Sequence, residues 1–301
     1  MSDNQKTLNS SIEFTGVGLH TGEGVHMVIE PAKINHGVKF QRIDLENQPV
    51  LPADINLVTD TQRSTTLEKD NVKIVTVEHL MSALYALGVN NVLIKMDSSE
   101  VPILDGSAKY FVEEIQKVGL KVQDAPLKYI DLPDPIHYTD PDSGSEILFV
   151  PTNNFIISVV LDYQNLALGT QYAEIRDLKD YSTEIAPCKT FVFLTELEKL
   201  SKANLIKGGG LENAIVVVDR EDTKPSEIKK LAHLLGKDGS DIQINGNVLN
   251  NCEMQFYNEP ARHKLLDVIG DLALIGMPIK GHIITKKPGH KLNTSFAQIL
   301  K

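Results

Sequence analysis

The sequence predicts an α+β protein of two similar domains, each a β-sheet layer packed on helices, with the helices sandwiched between the sheets. Three observations predict it. At 301 residues the chain is two domains long by the usual ~150 residues each, and each half can bury its own core. Both halves close with the same order, helix–strand–helix: residues 76–88, 91–97 and 105–119, then 262–276, 279–286 and 293–301. Between them Lys121 to Pro126 is polar and ends in proline, as a domain boundary does. The expected division is therefore an N-terminal domain over 1–125 and a C-terminal domain over 126–301, with a functional site between them.

The elements follow in order. Residues 25–29 and 38–43 are short runs rich in β-branched residues, and the second alternates, so both read as strands. Ahead of them Thr15-Gly16-Val17-Gly18-Leu19-His20-Thr21-Gly22 has three glycines, which suit a turn or a close backbone approach. The first long helical pattern covers 76–87, with Thr76 as its expected N-cap and Gly88 as its stop. A strand at 91–96 follows, and Asp105-Gly106-Ser107 leads into a helix with Phe111, Glu114, Ile115 and Val118 at helical spacing. In the second half, strands are expected at 127–130, 147–150, 155–161 and 214–218, and a helix at 195–207 stops at Gly208-Gly209-Gly210. Residues 220–258 read as an insertion, made of a helix over 226–235 and a hairpin turning at Asn245-Gly246. A helix over 262–275, a strand over 279–286 and a last helix from Asn293 complete the chain.

Composition narrows the function. With 42% hydrophobic and 23% charged residues the chain is an ordinary globular one. Thirty Lys+Arg against forty Asp+Glu leave a formal charge of −10, which argues against generic nucleic-acid binding. No apolar run approaches the ~20 residues of a membrane span, and the first ten residues lack a signal-peptide core. Cys188 and Cys252 stand far apart, so neither a disulfide framework nor a cysteine metal knuckle is expected. The expectation is a cytoplasmic protein without membrane insertion.

Chemistry concentrates in two helices. At 100° per residue, His263, Asp267, Asp271 and Lys264 fall at about 0°, 40°, 80° and 100° round their helix, with the apolar residues of its first two and a half turns opposite. A His and an Asp at i, i+4 can hold one metal together. The alternative is a solvent-facing stripe on an amphipathic helix. The helix at 76–87 is apolar on nearly all sides yet carries Glu78 and His79 side by side. Burying that pair is costly unless it is paired, hydrogen-bonded or metal-bound. It reads either as a satisfied core pair or as a metal ligand with its general base, since two imidazoles and one carboxylate are a common set for catalytic zinc. His290, held by Pro288-Gly289, could protonate a leaving group or could be a surface histidine; Thr190 has no meaning on composition alone. Gly208-Gly209-Gly210 lacks the P-loop Lys-Ser/Thr, and His26, His36, His137, His233 and His282 read as strand or surface residues.

These residues sit in motifs that together resemble the zinc-dependent UDP-3-O-acyl-N-acetylglucosamine deacetylases of lipid A synthesis. The motifs are the Thr15–Gly22 segment already quoted, Thr76-Val77-Glu78-His79-Leu80, Pro102-Ile103-Leu104-Asp105-Gly106-Ser107, and Arg262-His263-Lys264-Leu265-Leu266-Asp267-Val268-Ile269-Gly270-Asp271-Leu272, with Gly289-His290 and Asn293. The resemblance runs over most of the chain. It implies two similar α+β domains with helices between outer sheets. It also implies zinc on His79, His263 and Asp267, a donor set that Fe2+ would tolerate as well, and Glu78 as general base. In the same reading His290 is the general acid or electrostatic partner, oriented by Asp271, and Thr190 helps hold the oxyanion. Lys264 is implied at the nucleotide's phosphates, Leu19 and Phe191 at the substrate, and an apolar passage for the acyl chain in the second domain; Phe191 and residues 214–218 read either as neighbours of that passage or as core packing.

The resemblance implies hydrolysis of a UDP-acyl-amino-sugar to acetate and a free amine. Two departures stand out: Lys189 precedes Thr190-Phe191 where the family often has Arg, and 220–258 is long for a single-function member. The Lys189 contact is expected to differ from the family's. The long 220–258 segment, with a chain that stops eleven residues after His290, resembles the front half of a fusion with a hydroxyacyl-carrier-protein dehydratase, an expected fused or associated partner. Two other readings remain beside this one: a zinc amidohydrolase acting on another acylated amino sugar, and a non-catalytic UDP-sugar or acyl-chain binding protein.

Overall fold

The structure, a computed structural model, describes residues 4–202, 207–210, 212–220, 223–224, 226–229, 242–249 and 253–301. The first half runs β1 (Asn4–Leu8), β2 (Ile12–Val17), β3 (Gly24–Pro31), β4 (Val38–Arg42), β5 (Val50–Pro52), β6 (Val58–Asp60), β7 (Thr66–Lys69) and β8 (Val72–Ile74). It continues through α1 (Glu78–Ala86), β9 (Val92–Met96), α2 (Lys109–Val118) and β10 (Leu120–Pro126). One sheet has the order β2-β3-β9-β4-β5, antiparallel except where β4 runs parallel to β9. Strands β6, β7 and β8 form a separate three-stranded sheet.

The second half runs β11 (Ile130–Asp131), β12 (Ile136–Thr139), β13 (Glu146–Val150), β14 (Phe155–Asp162), β15 (Thr170–Ile175), α3 (Tyr181–Glu184), β16 (Phe191–Phe193) and α4 (Leu194–Lys202). Then come β17 (Ile215–Val217), β18 (Ile244–Asn245), β19 (Val248–Leu249), α5 (Glu259–Ala273), β20 (Ile279–Lys286) and α6 (His290–Leu300). Its main sheet has the path β12-β13-β20-β14-β15, which repeats the first: antiparallel along the path except for β14 beside β20, with short β11 added in parallel at the start of β20. In each sheet the strand that comes last in sequence is inserted at the centre, and in each half a helix precedes and another follows that strand. The molecule is thus α+β with two halves of the same topology.

Alternation orients the sheets. On β14 Ile157, Val159 and Leu161 are buried, and on β3 Val25, Met27 and Ile29 are, so one face of each strand meets the helices. Helix α5 is buried on almost every side, by Leu265, Leu266, Val268, Ile269 and Leu272 among others, as expected of a helix enclosed between layers. Each such side chain contributes about 1.5–3 kcal/mol of burial. Helices α1 and α5 pack directly on each other at Gly270: a Cβ there would lie 2.0 Å from the Glu78 carbonyl oxygen. Only glycine permits that approach.

Several boundaries differ from the sequence reading, each for a physical reason. The polar segment expected to part the domains is itself a strand, β10, because β1 offers it antiparallel partners from Leu8↔Leu120 to Asn4↔Pro126. Thr76 does not cap α1. It sits at φ +58°, and its hydroxyl donates to Glu100 Oε1 at 2.8 Å; Val77 is the cap position. Glu100 is fully buried and also accepts from the backbone N–H groups of His20 and Thr21, so its carboxylate draws the hydroxyl away. The last helix begins at His290, a turn earlier than Asn293, with extended Gly289 as its N-cap. The hairpin turn is shifted by one, since Asn245 pairs with Val248 and leaves Gly246-Asn247 as the loop, with Gly246 at φ +61°. Of the helix expected over 226–235, residues 226–229 are helical and 230–235 lie outside the described residues, as do 203–206 of the helix expected over 195–207.

Candidate active site

Helix α1 is the first contributor. Its apolar surround forces Glu78 and His79 inside, at 2% and 5% exposure. Helix α5 brings His263, Asp267 and Asp271 along one face, at 1%, 2% and 0%. The charged stripe thus faces α1, and the solvent-exposed alternative is excluded. The rings of His79 and His263 meet edge to face, with centroids 5.0 Å apart. Asp267 Oδ1 lies 3.4 Å from His263 Nε2 and 3.9 Å from His79 Nε2. One ligand atom from each of the three falls within 4.8 Å of the others.

The donor set fits a divalent metal. His263 Nδ1 is 3.0 Å from the Cys188 carbonyl, which fixes the proton there and turns the Nε2 lone pair inward. Asp267 Oδ2 accepts from Lys264 Nζ at 2.8 Å, while Oδ1 is buried with no hydrogen-bond partner, a costly condition that a cation relieves. Burial drives the His79 ring down to about 3, aided by neighbouring His263, and burial likewise lowers His263 against the pull of Asp267. Both rings are therefore neutral at pH 7, the state a metal-ligating imidazole needs. Burial opposes the Asp267 charge, yet Lys264 and the histidines around it hold this carboxyl well below the usual carboxylate range.

Beside these three residues lie Glu78 and His290. Glu78 Oε2 accepts from the Thr65 backbone N–H at 3.1 Å, and Glu78 Oε1 is 3.9 Å from His290 Nε2. His290 Nδ1 is bonded to Asp271 Oδ2 at 2.9 Å, and that carboxylate also accepts from Asn293 Nδ2 at 2.9 Å and, on Oδ1, from Thr65 Oγ1 at 2.5 Å. Burial raises Glu78 to about 7, with Asp271 and Asp267 adding to the rise and His290 opposing it. Burial works against the His290 cation, but Asp271 and Glu78 outweigh it and lift the ring to about 9. Between those values Glu78 is a base and His290 an acid, as paired proton transfer requires.

A cavity of about 290 Å³ meets this cluster at Lys264, which is bonded to Asp267, and is lined by Leu19, Thr190, Phe191 and Val216 among others. Thr190 follows Cys188, whose carbonyl holds His263, and leads directly into β16. Lys264 sits 5.6 Å over the Phe191 ring while bonded to Asp267. Every site residue named from the sequence thus falls in one connected region, either in the buried cluster or on the cavity wall. The sequence reading missed Thr65, which touches both Glu78 and Asp271. It lies in Ser64-Thr65-Thr66, where only the fold distinguishes one hydroxyl from the next. Arg63, Tyr163 and Glu196, further cavity-lining residues, also carried no pattern.

Fold and site together define an α+β protein of two similar halves with a buried His–His–Asp cluster between its helices that could hold a metal ion. The chain matches the LpxC family, UDP-3-O-acyl N-acetylglycosamine deacetylase, over residues 5–231 and 238–301, and it belongs to that family. It is 46% identical over 297 residues to the "Bifunctional enzyme LpxC/FabZ" of Bacteroides thetaiotaomicron, covering 99% of this chain and 64% of the relative. It is 37% identical to the UDP-3-O-acyl-N-acetylglucosamine deacetylase of Myxococcus xanthus, over 97% of this chain and 84% of that one. The deacetylase of the same name from Thermosynechococcus vestitus is 36% identical, over 98% and 93% respectively. The chain therefore spans about two thirds, 64%, of the length of the bifunctional relative. Among the described residues no helix is long and apolar enough to cross a membrane.

Proposed function

We propose that the chain is a zinc-dependent deacetylase that hydrolyses UDP-3-O-(3-hydroxyacyl)-N-acetylglucosamine to the free amine and acetate, an early committed step of lipid A synthesis in the cytoplasm. The observation that carries this reading is the orphaned Asp267 Oδ1 facing His79 and His263, with Glu78 and the His290–Asp271 pair alongside. His79, His263 and Asp267 would hold the metal, and Cys188 and Lys264 keep two of these ligands oriented. When bound, zinc supplies Lewis-acid polarisation of the acetamide carbonyl and makes a nearby water more acidic. Two imidazoles and a carboxylate suit zinc; ferrous iron accepts the same set.

The chain's own residues do the rest. Glu78 takes a proton from the attacking water as its oxygen adds to the acetamide carbonyl carbon. Thr190 donates to the carbonyl oxygen as negative charge builds on it. His290, a cation held by Asp271, gives its proton to the sugar nitrogen as the C–N bond breaks, so the amine leaves neutral. The cavity holds the acyl chain against Leu19, Phe191 and Val216, and Lys264 meets the phosphates at its edge.

We further propose that the chain is the LpxC part of a bifunctional protein, with a hydroxyacyl-carrier-protein dehydratase fused or associated. A native gene product of only 301 residues, with no such companion, would overturn that part. The activity itself is tested by acetate release from the UDP sugar, with and without a zinc chelator. Release that stops on chelation and returns with zinc, while Glu78→Gln binds zinc but loses roughly 10²–10⁴ in rate, is the expected result. Metal-loaded wild type that releases no acetate overturns the reading.

A further inference from the structure

An ion pair crosses the rim of the apolar cavity. Arg63 Nη2 lies 2.8 Å from Glu196 Oε1, and each side chain is 41% exposed, so the pair is on the cavity's solvent side. Its two ends are anchored separately. Arg63 lies two residues before Thr65, whose backbone N–H and hydroxyl are fixed on Glu78 and Asp271. Glu196 is in the first turn of α4, which Asp219 holds by accepting from the Thr195 N–H at 3.0 Å. Arg63 stands at φ +69°, in the left-handed region that a side chain with a Cβ occupies at a cost. A half-exposed ion pair contributes little stability after solvent screening. Fold stability therefore does not account for a strained arginine reaching this carboxylate, whereas bridging the two walls of a cavity does.

We propose that the Arg63–Glu196 pair is a clasp that closes the solvent side of the cavity and sets the longest acyl chain it accepts. This rests on the reading of the cavity as the acyl-chain site. A chain that ends beneath the clasp leaves the ion pair whole, and each methylene added up to that point gains affinity by burial. A longer chain has to part Arg63 from Glu196 and lay methylenes against separated charges. Affinity then stops rising with length at the point where the chain meets the pair.

The test is calorimetric binding of UDP-glucosamines acylated at the 3-hydroxyl with chains of stepped length, using the zinc-loaded full chain. These ligands already carry the free amine, so they are not turned over. Wild type should show affinity that rises and then levels off. Arg63→Met and Glu196→Gln should continue to rise and bind the longest chain about fivefold more tightly than wild type. The charge exchange Arg63→Glu with Glu196→Arg should restore the levelling. Salt near 1 M should weaken the levelling in wild type and leave the Arg63→Met profile unchanged. The same length profile in all four proteins overturns the clasp while leaving the cavity's assignment intact. Failure of wild type to bind any acylated ligand overturns the clasp and that assignment together.

Discussion

Gly270 on α5 lies against the backbone carbonyl of Glu78 on α1, so close that a methyl group would stand 2.0 Å from that oxygen. This contact sets how near the two helices come, and with it the distance from His79 to His263 and Asp267. The His79–His263–Asp267 cluster is therefore built by a missing side chain as much as by the three residues present.

Gly270→Ala should push α1 and α5 apart. Overpacking of this kind costs about 1–3 kcal/mol, since neither helix backbone can give way cheaply. The three ligand atoms, now within 4.8 Å of one another, should separate. The expected outcome is a lower midpoint in chemical denaturation together with at least a tenfold loss of zinc affinity. A variant that is destabilised yet binds zinc normally would show that the helix contact does not position the ligands.

Thr65 ties Glu78 to the carboxylate that holds His290, with its N–H on Glu78 and its hydroxyl on Asp271. Thr65→Val keeps the backbone donor and deletes only the hydroxyl, leaving Asp271 Oδ1 buried without that partner, at a cost of about 1–3 kcal/mol. Because Asp271 acts through His290, kcat should fall about tenfold or more with KM little changed, and Thr65→Ser should recover most of it. Equal losses in the valine and serine variants would mean that the methyl packing of Thr65 matters rather than its hydroxyl.

The sequence makes some of this legible and hides the rest. Glu78, His79, His263, Asp267 and Asp271 stand out because ionisable groups interrupt helices that are otherwise apolar, and burial makes such groups expensive unless they are used. The central strands are readable because β3, β9, β14 and β20 are rich in β-branched and aliphatic residues. The short strands β6, β7 and β8 mix Thr, Glu and Lys with apolar residues and carry no clear period. Thr76 misleads for a different reason: a hydroxyl that would cap a helix has a better acceptor in Glu100, which is distant in sequence. Arg63 and Glu196 meet only across a cavity that two separate excursions enclose, so no local pattern announces them.

The pH dependence follows from the opposite shifts of Glu78 and His290. Glu78, raised to about 7 chiefly by burial, gains its basic form as pH rises through that value, and this gives the acid limb of the rate profile. His290, raised to about 9 because Asp271 and Glu78 outweigh its burial, loses its proton as pH rises further, and this gives the alkaline limb. A divalent cation held next to both shifts both limbs toward lower pH without reversing their order. The profile of kcat/KM should therefore be bell-shaped, with the carboxylate limb below the imidazole limb. Asp271→Asn removes the leading charge that sustains the His290 cation, so the alkaline limb should move down by one unit or more. It also removes a charge that raises Glu78, so the acid limb should move the same way by less, and the bell should narrow. Measuring kcat/KM from pH 5 to 10 for both proteins at saturating zinc checks this. An alkaline limb that stays in place in Asp271→Asn would show that it belongs to a group other than His290.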